Sequence, residues 1–349
     1  MRRLISSICV VTMLVSLLNG CSFTNILVGE EKEDNTLKIG ISVYDQYDTF
    51  ISSVVDAFYE WAKKKEQETD ITITIDFQNA GGNQSVQNDQ MGAFVSGGCD
   101  VALINLVDRT DATVVIERAK NAGIPVVFFN RELVQEDLER WDQLYYVGAV
   151  ALESGEMEGQ ILVDACQERF DEFDKNGDGE LQYVILEGEA GHQDSLVRTE
   201  YVIKTVTEGG IVLEKLGNEI ANWNRAQAES KVQTWMNELG EGIEVIFANN
   251  DDMALGAIDA LGAWERDKWP VILGIDGTAV ALQAVKSGEL MGTVLNDGKG
   301  QARSMLELAF SLKFETPLPS DIILENGKYV RLPHKIVTIE NVDKIIQDR

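Results

Sequence analysis

Short apolar runs alternate along this chain with longer amphipathic stretches, and that alternation admits few folds. A short run that is apolar throughout reads as a strand buried on both faces. Both faces of a sheet are covered when amphipathic helices cross over between parallel strands. Strand candidates are residues 37–43, 71–76, 101–104, 125–129 and 144–147. Helical stretches separate the first four: residues 50–65, where Phe50, Val54, Phe58 and Trp61 share a face, and two more that begin near Gln84 and Thr113. The pattern starts again from Leu152, with strands near 183–186, 211–216, 245–248 and 271–274 and helices from Ser195, Arg225, Met253 and Val280. A 349-residue chain that is 44% hydrophobic can bury two ordinary cores. The expected class is α/β, with two similar doubly wound parallel-sheet lobes.

The start of the chain differs in kind. Arg2 and Arg3 precede an apolar run, residues 4–18, that is short for a membrane span and ends in Leu18-Asn19-Gly20-Cys21. Residues 1–20 read as a signal peptide, so the protein is expected outside the cytoplasm. The Gly-Cys ending resembles a bacterial lipobox, in which Cys21 carries the lipid, and residues 21–36 would tether the rest to the extracytoplasmic face of the cell membrane. Cleavage removes Arg2 and Arg3 and no acid, which takes the net charge from -28 to -30. Such a surface repels phosphate backbones, and no nucleic-acid partner is expected. His192 and His334 are the two histidines, too few for His-based metal or acid–base chemistry. Cys9 leaves with the signal. Cys99 and Cys166 have no close spacing and are expected as two buried free thiols.

Residues 174–182 place oxygen-bearing side chains at alternate positions around a glycine, the spacing of a calcium loop. After Asp174, Asn176 and Asp178 offer side-chain oxygens, Glu180 a backbone carbonyl and Gln182 its amide, while Gly179 permits the sharp turn. The position where an EF-hand has its bidentate Glu is Ile185, inside residues 183–186, which read as a buried strand. The closing carboxylate must come from elsewhere, either Glu187 just beyond the strand or a residue remote in sequence. The expected cofactor is Ca²⁺ in a structural role; an Asx-turn loop without metal is the alternative.

In doubly wound sheets, ligands sit beyond the carboxyl ends of the strands. Those positions hold Tyr44 and Asp48, then Asn130, Arg131 and Glu132, then His192, Asp194 and Arg198, then Asn249, Asn250 and Asp251, then Asp276 and Asn296. No phosphate-cradling glycine loop is among them. Carboxylates, amides and a guanidinium, with Phe50 and Trp223 available, suit a sugar. Planar polar groups bond vicinal hydroxyls in pairs, and aromatic faces cover the C–H surface of a pyranose. Taken singly, each residue also reads as a helix cap or as packing.

Several segments carry a resemblance: Tyr44-Asp45-Gln46-Tyr47-Asp48-Thr49-Phe50, Ile104-Asn105-Leu106-Val107-Asp108, Val126-Val127-Phe128-Phe129-Asn130, Glu187-Gly188-Glu189-Ala190-Gly191-His192, Ala248-Asn249-Asn250-Asp251 and Gly292-Thr293-Val294-Leu295-Asn296-Asp297. With them the chain resembles, over nearly all of its length beyond the signal, the galactose/glucose-binding proteins of bacterial sugar uptake, which are type I periplasmic binding proteins. The resemblance implies sugar contacts from Asp48 and Asn130 in the first lobe and from His192, Asp194, Arg198, Asn250, Asp276 and Asn296 in the second lobe and its hinge edge. Phe50 and Trp223 would sandwich the ring, and Asp48 would lie near the sugar's 4-hydroxyl. It places the closing calcium ligand at Glu244. It implies three chain crossings, near Ala149, Asn296 and Leu332, and hence lobes of residues 37–149 plus 297–331 and of 150–296 plus 332–349. Departures stand beside the expected pocket: Asn222 where the family usually has Met, Asn224 in place of an acid, Arg131 in place of Lys.

The function implied is a monomeric, non-enzymatic receptor. It would close on D-galactose, D-glucose or a methyl-galactoside and deliver it to an ABC permease, with a chemotaxis receptor as a further candidate partner. Two other classes compete. A secreted glycosidase would draw paired carboxylates from Asp48, Asp194 and Asp276, but a cleft suited to a free monosaccharide leaves no room for an aglycone. A transcription repressor's effector domain would need a DNA-binding headpiece where the signal peptide stands.

Overall fold

The computed structural model describes residues 35–348, so the expected signal segment and Cys21 lie outside the described residues. The first sheet grows from β1 (Thr36–Val43), which is buried from Ile39 onward and exposed at Lys38 nearer its start. It can be central because β2 (Thr72–Asn79) and β3 (Val101–Ile104) pair with its two edges in parallel. Between them run α1 (Thr49–Glu68) and α2 (Gln84–Gly97). The chain goes on through α3 (Thr113–Ala122), β4 (Val126–Phe129), the one-turn α4 (Gln135–Leu138) and β5 (Leu144–Gly148). Phe50, Val54 and Phe58 of α1 are buried on the predicted face and Trp61 is partly covered.

The second sheet repeats the theme. Its elements are α5 (Ala151–Phe173), β6 (Leu181–Glu187), α6 (Gln193–Glu208), β7 (Leu213–Ile220), α7 (Arg225–Leu239), β8 (Val245–Ala248), α8 (Asp251–Leu261), β9 (Val271–Asp276), α9 (Ala279–Lys286) and β10 (Gly292–Leu295). The chain then supplies α10 (Gly298–Phe314) and β11 (Tyr329–Arg331) to the first sheet, and β12 (Lys335–Thr338) with α11 (Val342–Gln347) to the second. The strand orders are β11-β5-β4-β3-β1-β2 and β12-β10-β9-β8-β6-β7. Apolar clusters cover both faces of each sheet, the two-sided burial that short, wholly apolar strands require. Cys99 packs in a cluster of the first sheet and Cys166 in one of the second, both as free buried thiols.

One pairing departs from the parallel expectation: β12 runs antiparallel to β10. It is reached from β11, a strand of the other sheet, through residues 332–334. The chain passes between the sheets at residues 149–150, 296–297 and 332–334. Thr36–Arg349 form one compact unit.

Candidate functional site

The carboxyl ends of the strands hold the polar residues, and three of them also cap helices. Asp48 Oδ1 accepts from Ile51 N at 2.8 Å as the N-cap of α1. His192 caps α6 through Nδ1, which accepts from Asp194 N at 3.1 Å, and Asn250 caps α8 through Met253 N at 3.0 Å. Capping and ligand contact are compatible because a cap occupies one acceptor and leaves the rest of the group facing the crevice.

Nine of the ten predicted sugar residues line one pocket between the sheets: Asp48, Phe50, Asn130, His192, Asp194, Arg198, Trp223, Asn250 and Asp276. The tenth, Asn296, lines an adjoining cavity of about 230 Å³ that shares Phe50 and Asp276 as walls. Its Oδ1 accepts from Gln301 Nε2 at 2.7 Å. Tyr44, Ile51 and Arg131 complete the pocket lining. Tyr44 was legible as a crevice position, but its part in the site depends on its spacing from Asp48, whose Oδ2 accepts from the phenol at 2.6 Å.

Arg198 organises the second lobe's half. It is 5% exposed, donates from Nη1 to Asn249 O at 2.8 Å and from Nε to Ser154 Oγ at 3.2 Å, and stands 3.6 Å from Asp194 and 4.0 Å from Asp276. Burial holds the Asp276 carboxyl well above the usual range despite this guanidinium. Burial also pushes His192 down to about 4, so its ring is neutral at pH 7; with Nδ1 accepting from Asp194 N, Nε2–H is left as a donor. Trp223 stands edge-on to His192, with ring centroids 5.2 Å apart. Its indole lies so close over Gly188 that a Cβ there would meet it at 2.0 Å. Asn222 and Trp223 take φ values of 51° and 60°, and Asn130 one of 60°. Left-handed backbone at non-glycine residues costs free energy and clusters where side chains are aimed at ligands.

Across the pocket, Arg131 is 4% exposed. Its Nη1 donates to Val107 O at 2.9 Å, its Cζ lies 3.5 Å from the Tyr44 ring centroid, and its Nη2 pairs with Glu189 of the opposite lobe at 3.0 Å. A second link between the lobes runs from Thr49 Oγ1 to Asp252 Oδ2 at 2.6 Å. Sequence reasoning did not single out Glu189, because nothing in its neighbourhood signals a partner far away in the chain.

The predicted calcium loop lies at the other end of the second lobe. Gly177 and Gly179 take φ of 73° and 86°, and Asp174 accepts backbone N–H bonds from Gly177, Asp178 and Gly179. Glu244 is 1% exposed, and its two oxygens accept from Lys175 N at 2.6 Å and Gln182 N at 3.1 Å. Glu187 instead accepts from Asn218 Nδ2 at 2.6 Å, so the remote carboxylate meets the loop and the near one does not. Among the described residues, no three His, Cys, Asp or Glu side chains are gathered closely enough to hold a metal by themselves. The donors here are mixed. Asn176 and Gln182 donate to Asp178 at 2.9 and 3.0 Å, and turning either amide over would present its oxygen. With the amides so turned, the side-chain oxygens and the buried Glu244 carboxylate suit a hard cation.

Residues 39–315 match the family model described as periplasmic binding protein domain. The D-galactose/methyl-galactoside binding periplasmic protein of Haemophilus influenzae is 38% identical over 317 residues, which span 89% of this chain and 92% of that one. The xylitol-binding protein of Mycolicibacterium smegmatis is 29% identical over 313 residues, 90% of this chain and 80% of its own. Among solved structures, an ABC transporter solute binding protein from Bacillus halodurans with bound myo-inositol superposes with a TM-score of 0.74 at 28% identity, covering 91% of this chain and all of that one.

Proposed function

This chain belongs to the periplasmic binding protein family, and from that premise we propose that it captures D-galactose or D-glucose, or a methyl-galactoside, between its two lobes for an ABC permease. The observation that carries the reading is the pocket itself. Carboxylates, amides and a guanidinium converge from both lobes between Phe50 and Trp223. In this reading Asp48, Asn130, His192, Asp194, Arg198, Asn250 and Asp276 bond the hydroxyls, Asn296 supports the hinge edge, and the aromatics cover the ring. Because both lobes contribute, the closed state is the better binder, and sugar shifts the population toward the form a permease or a chemotaxis receptor would recognise. The protein would act as a monomer.

The family lies outside the cytoplasm and binds rather than hydrolyses, so the glycosidase reading has no support. No helix among the described residues is long and apolar enough to cross a membrane. We assign anchorage to a lipid on Cys21. We also assign a structural Ca²⁺ to Asp174, Asn176, Asp178, the Glu180 carbonyl, Gln182 and Glu244. When bound, the ion supplies a cross-link between a loop and the edge of a distant strand; the chain's own part is to bring Glu244 beneath the loop.

Calorimetric titration against a panel of monosaccharides tests the proposal. Saturable one-to-one binding of galactose or glucose is expected, and binding confined to pentoses or polyols would sink it. Sustained phenol release from an aryl galactoside would revive the enzyme reading.

A further inference from the structure

We infer that Glu189 is a positioning residue for this site: it reaches from the second lobe to hold Arg131 over Tyr44, and so fixes the phenol that orients Asp48. The inference rests on the pocket's being a monosaccharide site. Glu189 does not itself line the pocket. It sits in the loop between β6 and α6, where His192 N donates to its carbonyl at 3.1 Å.

Arg131 is almost wholly buried. A guanidinium that is 4% exposed has surrendered most of its hydration, and charge so placed is costly without a partner. The Val107 carbonyl and the Tyr44 ring face offer dipole and quadrupole at 2.9 and 3.5 Å, but no full negative charge. The one carboxylate paired directly with it among the described residues is that of Glu189, at 3.0 Å across the cleft, while Asp108 acts on the guanidinium only from farther off. Tyr44 lies under the guanidinium and passes the constraint on. Its hydroxyl, kept protonated by burial and by Asp48, donates to Asp48 Oδ2 at 2.6 Å while the helix N–H of Ile51 takes Oδ1. A carboxylate pinned once on each oxygen keeps a lone pair on each for sugar hydroxyls, in a fixed plane. Separating the lobes removes Glu189 from Arg131, and closing them restores it. Closure therefore also completes the support behind Asp48.

The test compares the parent with Glu189→Gln, Glu189→Asp, Arg131→Met and the double variant Arg131→Met/Glu189→Gln. Galactose and glucose titrations, stopped-flow release and small-angle scattering of the sugar-free proteins are the measurements. Glu189→Gln should lower galactose affinity about 5-fold to 30-fold, chiefly through faster release. Glu189→Asp should recover part of the loss. The double variant should bind no worse than Arg131→Met alone. Affinity within twofold of the parent for Glu189→Gln, or losses that add in the double variant, would overturn the relay. Should the parent bind no hexose, the functional reading fails and scattering decides the relay separately: a more open Glu189→Gln supports it, and an unchanged profile refutes it.

Discussion

At the scale of single residues, the pocket divides into groups that read hydroxyls and groups that cover the ring. Asp194 is partly buried beside Arg198 at 3.6 Å. Asp194→Ala removes acceptors and leaves a buried guanidinium short of a partner, a loss of roughly 2 to 4 kcal/mol, or about 30-fold to 800-fold in affinity by calorimetry. Trp223→Ala should weaken galactose and glucose alike, because an aromatic face does not register hydroxyl orientation. Asp48→Asn should change the ratio of the two affinities, since an amide replaces one of two acceptors near the proposed 4-hydroxyl. A titration series in which Trp223→Ala alters that ratio and Asp48→Asn does not would show the pocket to be wrongly assigned. Gly188→Ala should act as a milder Trp223 variant, because its methyl occupies the indole's place. The single-residue signals in the sequence were weak, and their joint position after strands was the strong one. Arg131 and Tyr44 stood in that set, whereas Glu189 could be found only from the distance across the cleft.

Among the elements, the loop at residues 174–182 and the residue before β8 are the pair to disturb. Chelation should lower the melting temperature of the parent, because a cation that joins them binds the folded state alone. Glu244→Gln should weaken that response, and equal responses to added Ca²⁺ in mutant and parent would remove Glu244 from the ligand set. This element pair also marks the limit of sequence reading. The alternate oxygens of the loop and the wholly apolar β3, β4 and β8 were legible, since local spacing dictates both. Glu244 was not legible from spacing, for it lies 62 residues from Gln182 and meets it only through the register of β6 beside β8. Nor was the antiparallel β12, whose short alternating run, exposed at Lys335 and buried at Val337, resembles the end of a loop until a neighbour gives it an edge to join.

For the molecule as a whole, buried ionisable groups set a pH window. Neither oxygen of Glu158, beneath the second sheet, meets a hydrogen-bond partner at normal geometry, and burial pushes the group up to about 8, outweighing Ala248 and Arg198, which act the other way. Burial likewise carries Asp251 up to about 7. Both folded values lie above the unfolded ones. The favourable share is therefore complete below about pH 4 and lost as the pH rises through 7 and 8. His192 and His334 are pushed down to about 4 by burial, so their share is complete above 6.5 and lost as the pH falls through 4. Thermal melts should peak in the mildly acidic range between. Glu158→Gln should melt higher than the parent at about pH 8.5 and level with it at about pH 4.5, by roughly 2 to 4 °C for each kcal/mol relieved. A pH-independent offset would mean that its proton is irrelevant. The order in which the chain fills its two sheets has a consequence for timing. The first sheet receives its last strand from Tyr329–Arg331 and the second from Lys335–Thr338, so during synthesis both ladders stay open until almost the whole polypeptide has left the ribosome. Each sheet then has five of its six strands and waits on the edge that these last segments bring. A chain bound for export must remain threadable, and this topology delays the completion of both sheets until synthesis is nearly over.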